Sequence, residues 1–246
     1  MVTITDEVKQ SDLANTYSLT DGLLETSARR VTQYVYNGDY GSNKVKFGAY
    51  YGGSSKRSIK NVDLKNNRKN TWGTGLIFNH EIDSIQNVTV AAGFTRQISE
   101  NANKTAYYSN AYALGLAYNF VHTTYGLDLA HKDTKNKGGA GNKVKNNEVT
   151  AVIRQGLNED WNVYAMYSYK TEKTLPVGSA YSKSTDRQFL VGTEYYVFKQ
   201  GSVKVKPFIE WQATRTKYEN TFDKDSGKQL DRSRDFKTVI GLRAYW

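Results

Sequence analysis

Apolar and polar residues alternate along most of the chain, which is the period of a β-strand, and helical periodicity is rare. The clearest case is 107–119, where large apolar residues share one face and small residues share the other. The pattern predicts eleven strands and therefore an all-β protein. Their approximate ranges are 28–38, 44–54, 71–80, 86–96, 107–119, 121–131, 146–157, 161–171, 187–199, 203–217 and 235–246.

Short and long connections alternate between these strands. Short ones such as "QGLNED" and "KQGS" follow residues 38, 80, 119, 157 and 199, and long polar ones cover about 55–70, 97–106, 132–145, 172–186 and 218–234. This asymmetry is typical of an up-and-down meander with compact turns at one end. The strand at 28–38 then needs an upward partner before it, and 12–20 is the candidate, which gives the even strand number of single-chain bacterial barrels. We expect one domain, 1–246, forming a closed antiparallel transmembrane β-barrel of twelve strands, with 1–26 as the first strand or a separate amino-terminal segment.

Aromatic residues lie near the ends of the predicted strands. A soluble sandwich or a lipocalin-like barrel also alternates, but it buries its apolar face inside. Here the opposite face combines small residues with charges in mid-strand, which suits a water-filled lumen, and rings at two levels suit membrane interfaces. The residues expected in these membrane girdles are Trp72, Trp161, Trp211 and Trp246.

The ending "FKTVIGLRAYW", residues 236–246, resembles the carboxy-terminal strand of bacterial outer-membrane β-barrel proteins. That class usually finishes on an aromatic residue, most often phenylalanine, and its last strand is recognised by the barrel-assembly machinery. The resemblance implies a location in the bacterial outer membrane. It also implies outer-membrane lipid, lipopolysaccharide and the assembly machinery as partners.

Charged residues on the face opposite the apolar one are expected inside the barrel, because exposing Arg or Lys to lipid at the bilayer midplane costs roughly 2–4 kcal/mol. The chain has 34 Lys and Arg against 24 Asp and Glu. Bases also outnumber acids on the predicted lumen face, and rows of cations favour anions. The predicted lumen bases are Lys44, Lys46, Arg154, Lys170, Lys204, Lys206, Lys237 and Arg243, and the predicted lumen acids are Asp128, Glu148, Glu194 and Glu210.

Strand number, length and lumen charge are similar to those of the monomeric oligogalacturonate and sialic-acid porin family. The similarity implies a channel for passive diffusion of small, preferentially anionic solutes. Two alternatives remain open. One is the translocator domain of an autotransporter, in which residues 4–26 thread the pore. The other is a closed barrel, its lumen filled by ion pairs, that acts as an adhesin or phage receptor.

No catalytic motif is visible. The chain has no cysteine, and His80, His122 and His131 are not at metal-ligand spacing. The stretch "FVHTTYG" around His122 faintly resembles the His-x-Ser motif of outer-membrane lipid hydrolases, but Thr124 stands where the serine should be. The basic runs 55–70 and 132–145 lack interleaved aromatics, which argues against nucleic-acid binding. We therefore expect no enzyme, no cofactor and no metal.

One residue conflicts with the strand pattern. Pro207 lies inside the strand predicted at 203–217, and a closed barrel has no free edge to accommodate a residue without an N–H. We expect a bulge there, or a strand that begins later.

Overall fold

The structure is a computed structural model that describes residues 5, 8–11, 23–24, 31–54, 58–59, 62–63, 67–101, 104–137, 142–176, 180–201, 203–222 and 229–245. These residues contain fourteen β-strands. The strands are β1 (Val31–Tyr40), β2 (Asn43–Gly52), β3 (Ser58–Ile59), β4 (Val62–Asp63), β5 (Asn67–Asp83), β6 (Gln86–Asn101), β7 (Lys104–Phe120), β8 (Thr123–Asn136), β9 (Lys143–Gly156), β10 (Trp161–Leu175), β11 (Ser182–Tyr195), β12 (Phe198–Gln200), β13 (Val203–Phe222) and β14 (Gln229–Tyr245).

Twelve of the strands form one antiparallel sheet in up-and-down order, which confirms the predicted all-β, up-and-down architecture, although closure is not detected among the described residues. The order is β1, β2, β5 to β11 and β13, with β14 on the far side of β13. Strand β12 continues β11 after an interruption at Tyr196 and Val197, and it pairs with the first residues of β13. Strands β3 and β4 form a separate small hairpin. The strand predicted at 12–20 and the terminal Trp246 lie outside the described residues, within which no pairing joins β1 to β14.

The strands are longer than the alternation predicts, and the connections at one end of the sheet are correspondingly shorter. Strand β5 has 17 residues and β13 has 20. The long loops predicted at about 97–106, 132–145, 172–186 and 218–234 were wrong, because most of those residues continue the ladders as hairpins. Alternation detects only the part of a strand that has an apolar face, whereas a hairpin above it can pair through polar residues.

The sheet has two unlike faces. Along β7, Ala111 and Ala117 are buried, whereas Tyr112 is 50% exposed and Leu114 is 39% exposed. We call the face with the buried small residues the inner face and the opposite one the outer face. On the inner face, side chains from strands that are not neighbours meet across the strand between them, as Arg154 of β9 and Glu194 of β11 do. The sheet therefore curls toward this face.

Aromatic rings lie over glycines of the next strand at three places on the inner face. Tyr164 is opposite Gly192, and a Cβ added there would come within 2.4 Å of the ring. Tyr50 over Gly73 and Phe208 over Gly241 repeat the arrangement, with closest approaches of 2.7 and 2.4 Å. The missing side chain gives each ring a flat floor, and the ring in turn shields the backbone of the glycine.

Pro207 is the fifth residue of β13 and pairs in register with Leu242 of β14, so the strand does not begin later and has no bulge on that side. Toward β11 and β12 the register shifts by one residue between the pairs Glu194–Phe208 and Phe198–Val205, which agrees with the irregularity expected beside the proline. The irregularity is in the neighbouring strand. Val205 accepts a hydrogen bond from Val197, so its backbone faces the junction of β11 and β12, and by alternation that of Pro207 faces it too. The ladder is interrupted there at Tyr196 and Val197, and no donor is required of residue 207.

Between the short turns and mid-strand the outer face is largely apolar, and it carries aromatic rings at two levels. At the level farther from the short turns, Trp72, Phe94 and Tyr112 form a chain across β5 to β7 with successive ring centroids 5.0 Å apart. Trp211 stacks on Phe236 at 6.1 Å on β13 and β14. Trp161 begins β10 beside a short turn and is 44% exposed. Among the residues that the structure describes, no helix is long and apolar enough to cross a membrane.

Candidate channel lumen

Small residues form a floor on the inner face of β6, β7 and β8. Gly93, Gly115 and Gly126 belong to it, together with Ala91 and Ala111, which are almost completely buried. Side chains this small cannot fill the space inside a curled sheet by themselves. Something else must cover them.

The cover is the short stretch 8–11, which we call the inner segment. A Cβ added at Gly115 would lie 2.3 Å from the carbonyl oxygen of Val8, and one at Gly126 would lie 2.8 Å from that of Gln10. The backbone of the segment therefore rests directly on two glycines of neighbouring strands. Larger residues at those positions would displace it.

Asp128 of β8 holds the inner segment in place. One carboxylate oxygen accepts the backbone N–H of Gln10 at 2.9 Å, and the other accepts the backbone N–H of Ser11 at 2.8 Å. The hydroxyl of Ser11 donates to the same carboxylate. Charge-assisted hydrogen bonds of this kind are stronger than neutral ones, and Asp128 itself is only 7% exposed.

Apolar contacts add to this attachment. Val8 is 1% exposed and packs with Leu24, Ala91 and Ala111 in one buried cluster, against which Ile77 also packs. The inner segment is thus held at one end by its hydrogen bonds to Asp128, which we call the latch, and at the other end by the apolar contacts of Val8.

The second feature of the lumen is a charged cluster around Glu194. Its side chain is completely buried and lies between Arg154, at 2.5 Å, and Lys206, whose ammonium contacts the other carboxylate oxygen. Asn162 donates to the same carboxylate at 3.2 Å. Three of the predicted lumen residues, taken from β9, β11 and β13, therefore form one ion-pair network.

The third feature is a hydrogen bond that spans an intervening strand and ends at Glu210. This residue is 1% exposed on the inner face of β13. Tyr164 reaches over Gly192 and donates its hydroxyl to Glu210 at 2.7 Å. Glu148 of β9 is also buried and accepts a hydrogen bond from Thr150 at 3.1 Å. All four acids predicted for the lumen lie on the inner face.

The remaining predicted bases also have inner-face positions in the register. Lys44 forms an ion pair with Glu81 at 2.8 Å near the short turns, and Lys237 forms one with Asp235 at 3.2 Å. The rest are placed by their cross-strand neighbours: Lys46 opposite Ile77, Lys170 opposite Glu148, Lys204 opposite Tyr245, and Arg243 opposite Lys206.

Sequence reasoning missed several inner-face carboxylates. Strand register puts five more on this face or its rim: Asp39, Glu81, Glu172, Asp186 and Asp235. Most of them lie near strand ends, where the sequence pattern had predicted loops. The excess of bases among the twelve predicted residues is therefore not a property of the whole inner face.

The three histidines occupy separate places. His80 lies on the outer face and bonds to Asn43 at 2.9 Å, and His131 lies there too, close to Asn147 and Asp133. His122 was predicted within a strand, but it lies exposed in the turn between β7 and β8. Within the described ranges no group of three or more potential metal ligands occurs.

The inner segment was not predicted from the sequence. Residues 4–26 were considered either as a strand or as a helix through the pore, whereas 8–11 are extended across the floor and have no regular structure. The sequence feature that could have indicated the inner segment is the run of small residues that forms the floor. The run of Ser, Ala and Gly on one face of 107–119 is too small to fill a lumen, so it indicates that another part of the chain covers it.

No protein-family model matches the sequence, and no curated protein matches it. The fold does match solved structures of OmpT, an outer membrane protein of Vibrio cholerae. The in-vitro folded form matches with a TM-score of 0.61 at 16% identity over 100% of this chain and 74% of that one. The trimer form and the form expressed in the outer membrane each match with a TM-score of 0.57 at 16% identity, over 100% of this chain and 75% of that one. The chain thus has the fold of an outer-membrane barrel protein.

Proposed function

We propose that this protein is an outer-membrane channel for passive diffusion of small solutes, in which the inner segment sets the width of the passage. The observation that carries the proposal is the contrast between the faces. Buried Glu194 and Lys206 and half-buried Arg154 lie on the inner face, while leucine and aromatic rings are exposed on the outer one. Lipid outside and water inside would satisfy both faces. The fold similarity to an outer membrane protein of Vibrio cholerae supports the same location.

The inner segment argues for a narrowed passage. It crosses three strands on the inner face and is held there by hydrogen bonds to Asp128 rather than by strand pairing. Its polar attachment depends on one side chain, so changing Asp128 removes these hydrogen bonds and leaves only the apolar contacts of Val8. This gives a test in which the sheet stays intact.

The test is single-channel conductance of the full chain in planar lipid bilayers. We expect discrete conductance steps from the unaltered protein and larger steps from Asp128→Ala, because the latch is lost and the segment leaves the floor. Glu219→Ala is the control, since Glu219 contacts Lys183 and Lys217 at the far end of β13. The absence of conductance steps in both the unaltered protein and Asp128→Ala would refute the channel. Equal steps from both would refute the role of the segment and leave the channel standing.

Preference for anions stays a prediction. The eight predicted bases favour it, but Arg154 and Lys206 share Glu194, and Lys44 and Lys237 each have a carboxylate partner. The reversal potential in a potassium chloride gradient measures the preference directly. A reversal potential with the sign of the chloride equilibrium potential would support the anion preference. A reversal potential with the sign of the potassium equilibrium potential would refute it.

The inner segment also gives substance to one alternative. A translocator domain carries chain inside its barrel, and residues 8–11 lie where such a chain would pass. That function predicts no increase in conductance on release of Asp128 unless the segment leaves the pore altogether. The absence of enzymatic activity likewise stays a prediction, tested by incubating the folded protein with phospholipid and assaying released fatty acid.

A further inference from the structure

We infer that the outer face of β11, β13 and β14 carries a binding site for the phosphorylated glycolipid headgroups of the membrane. This site rests on the proposed location in the outer membrane but lies on the opposite side of the sheet from the lumen. It consists of five basic residues, which we call the basic row: Arg187, Arg215, Lys217, Arg232 and Arg234.

Strand register places the basic row in two tiers. Arg187 of β11 is opposite Arg215 of β13, and Arg215 is opposite Arg234 of β14, so three guanidinium groups lie side by side. Lys217 and Arg232 are opposite each other in the next tier, away from the short turns. All five residues are exposed on the outer face.

The row begins where the apolar surface ends. On the same face, the positions two residues closer to the short turns are occupied by Phe189, Ala213 and Phe236, which are opposite one another in the register. Phe236 stacks on Trp211 at 6.1 Å. Aromatic side chains of this kind mark the boundary between hydrocarbon and headgroups, so the basic row is at headgroup depth.

The row has little negative charge of its own. In the described part of the chain, Lys217 contacts Glu219 at 3.7 Å and Arg232 contacts Asp231 at 3.7 Å. Within the same residues, no carboxylate lies within ion-pair distance of Arg187, Arg215 or Arg234. Like charges directly opposite each other on neighbouring strands are destabilising. An external anion would remove that repulsion.

The shape of the site fits phosphate. Arg187, Arg215, Lys217 and Arg232, together with Thr185, line a depression of about 190 Å³. Guanidinium groups bind phosphate oxygens through paired N–H donors. A glycolipid fits better than a free anion, because its acyl chains would lie on Phe189, Phe236 and Trp211 while its phosphates reach the arginines.

Basic residues on the outer face of β8 and β9 differ from the basic row, because a carboxylate lies among them. On β8 and β9, Lys143 and His131 both contact Asp133, at 3.3 and 3.2 Å. The basic runs 55–70 and 132–145 lie on other strands or outside the described residues. The structure therefore favours a different part of the chain, the basic row, for contact with the headgroups.

The experiment is a binding titration of the full chain, folded in detergent micelles, with bisphosphorylated lipid A and with dephosphorylated lipid A. We expect the phosphorylated form to bind at least about tenfold more tightly, and Arg187→Gln/Arg215→Gln/Arg234→Gln to lose that difference. The matched control is Lys135→Gln/Lys145→Gln/Lys173→Gln, which removes three cations from the outer face of β8, β9 and β10. The control should retain the full preference. Circular dichroism and protease resistance verify that each variant is folded.

Three results would overturn the inference: equal binding of the two lipids, unchanged preference in the arginine variant, or equal loss in both variants. Competition by millimolar inorganic phosphate would also overturn it, since it would indicate a site for free anions. Loss of an oligomer in the arginine variant without lipid would assign the row to a protein interface instead. Conductance is measured separately, so a failed channel and a failed lipid site give different results.

Discussion

On the inner face, the absence of a side chain at a glycine can matter as much as the contacts of the larger residues around it. Gly192 lies between Tyr164 and Glu210 in the register of three consecutive strands. Because it has no side chain, the tyrosine can cross a whole strand to donate a hydrogen bond to the carboxylate. One glycine thus couples two strands that do not pair with each other.

This role predicts the effect of Gly192→Ala. The new methyl group would overlap the Tyr164 ring, and the overpacking should reduce the free energy of unfolding by about 1–3 kcal/mol. Equilibrium unfolding in urea from lipid vesicles measures it. Gly156→Ala is the matched control, since a Cβ there meets its nearest neighbour at an ordinary 3.4 Å. A cost equal to that of the control would contradict the coupling.

At the scale of single elements, β13 shows that an irregular residue can be accommodated by its neighbour. Pro207 was expected to distort its own strand. Instead the neighbouring run is divided into β11 and β12, and the missing N–H faces the division. The sequence shows the proline but not the partner strand, so the location of the irregularity could not be predicted from it.

The arrangement predicts that Pro207→Ala changes stability little, by less than about 0.5 kcal/mol, because the restored N–H gains no ladder partner. Ile209→Pro is the contrasting variant. Residue 209 has the same backbone orientation but is opposite Thr193 of β11, where the ladder is intact. Removing its N–H should cost about 3 kcal/mol or more. Similar unfolding midpoints for the two variants would contradict this explanation.

The elements as a class were largely predictable from alternation. All eleven predicted strands have an observed counterpart in the same order, because each has an apolar face that the alternation detects. Their extensions beyond that face were not predictable in this way, since Glu172 and Asp186 lie in a stretch whose polar residues predict a loop. The inner segment was missed because its attachment depends on Asp128, more than a hundred residues away along the chain.

At the scale of the whole molecule, the described sheet has two edge strands. In an up-and-down order, and with β12 continuing β11, β1 and β14 run in the same direction. Ile240 of β14 is 78% exposed, and Tyr34 of β1 is 61% exposed. Open edges are not stable in hydrocarbon, since their backbone groups would lack partners. Antiparallel closure requires a further strand of opposite direction between them.

We therefore predict that neither edge is open in a lipid bilayer. Amide hydrogen exchange of the protein in lipid vesicles should show β1 and β14 protected to the same degree as their paired neighbours β2 and β13. Fast exchange confined to alternate residues of β14, with β13 protected, would show that the edge remains open and that the sheet does not close. The exposed turns between strands, such as residues 41–42 and 121–122, provide an internal reference for unprotected amides.

The glycine floor has a consequence for how such a protein could change over time. Because the floor leaves room and the segment on it fills that room, the number of strands does not by itself determine the bore. In the proposed channel, a few substitutions among residues 8–11 would alter which solutes pass without changing any strand pairing or any aromatic ring of the outer face. The strand scaffold and the width of the passage can then be selected separately, because different residues determine them.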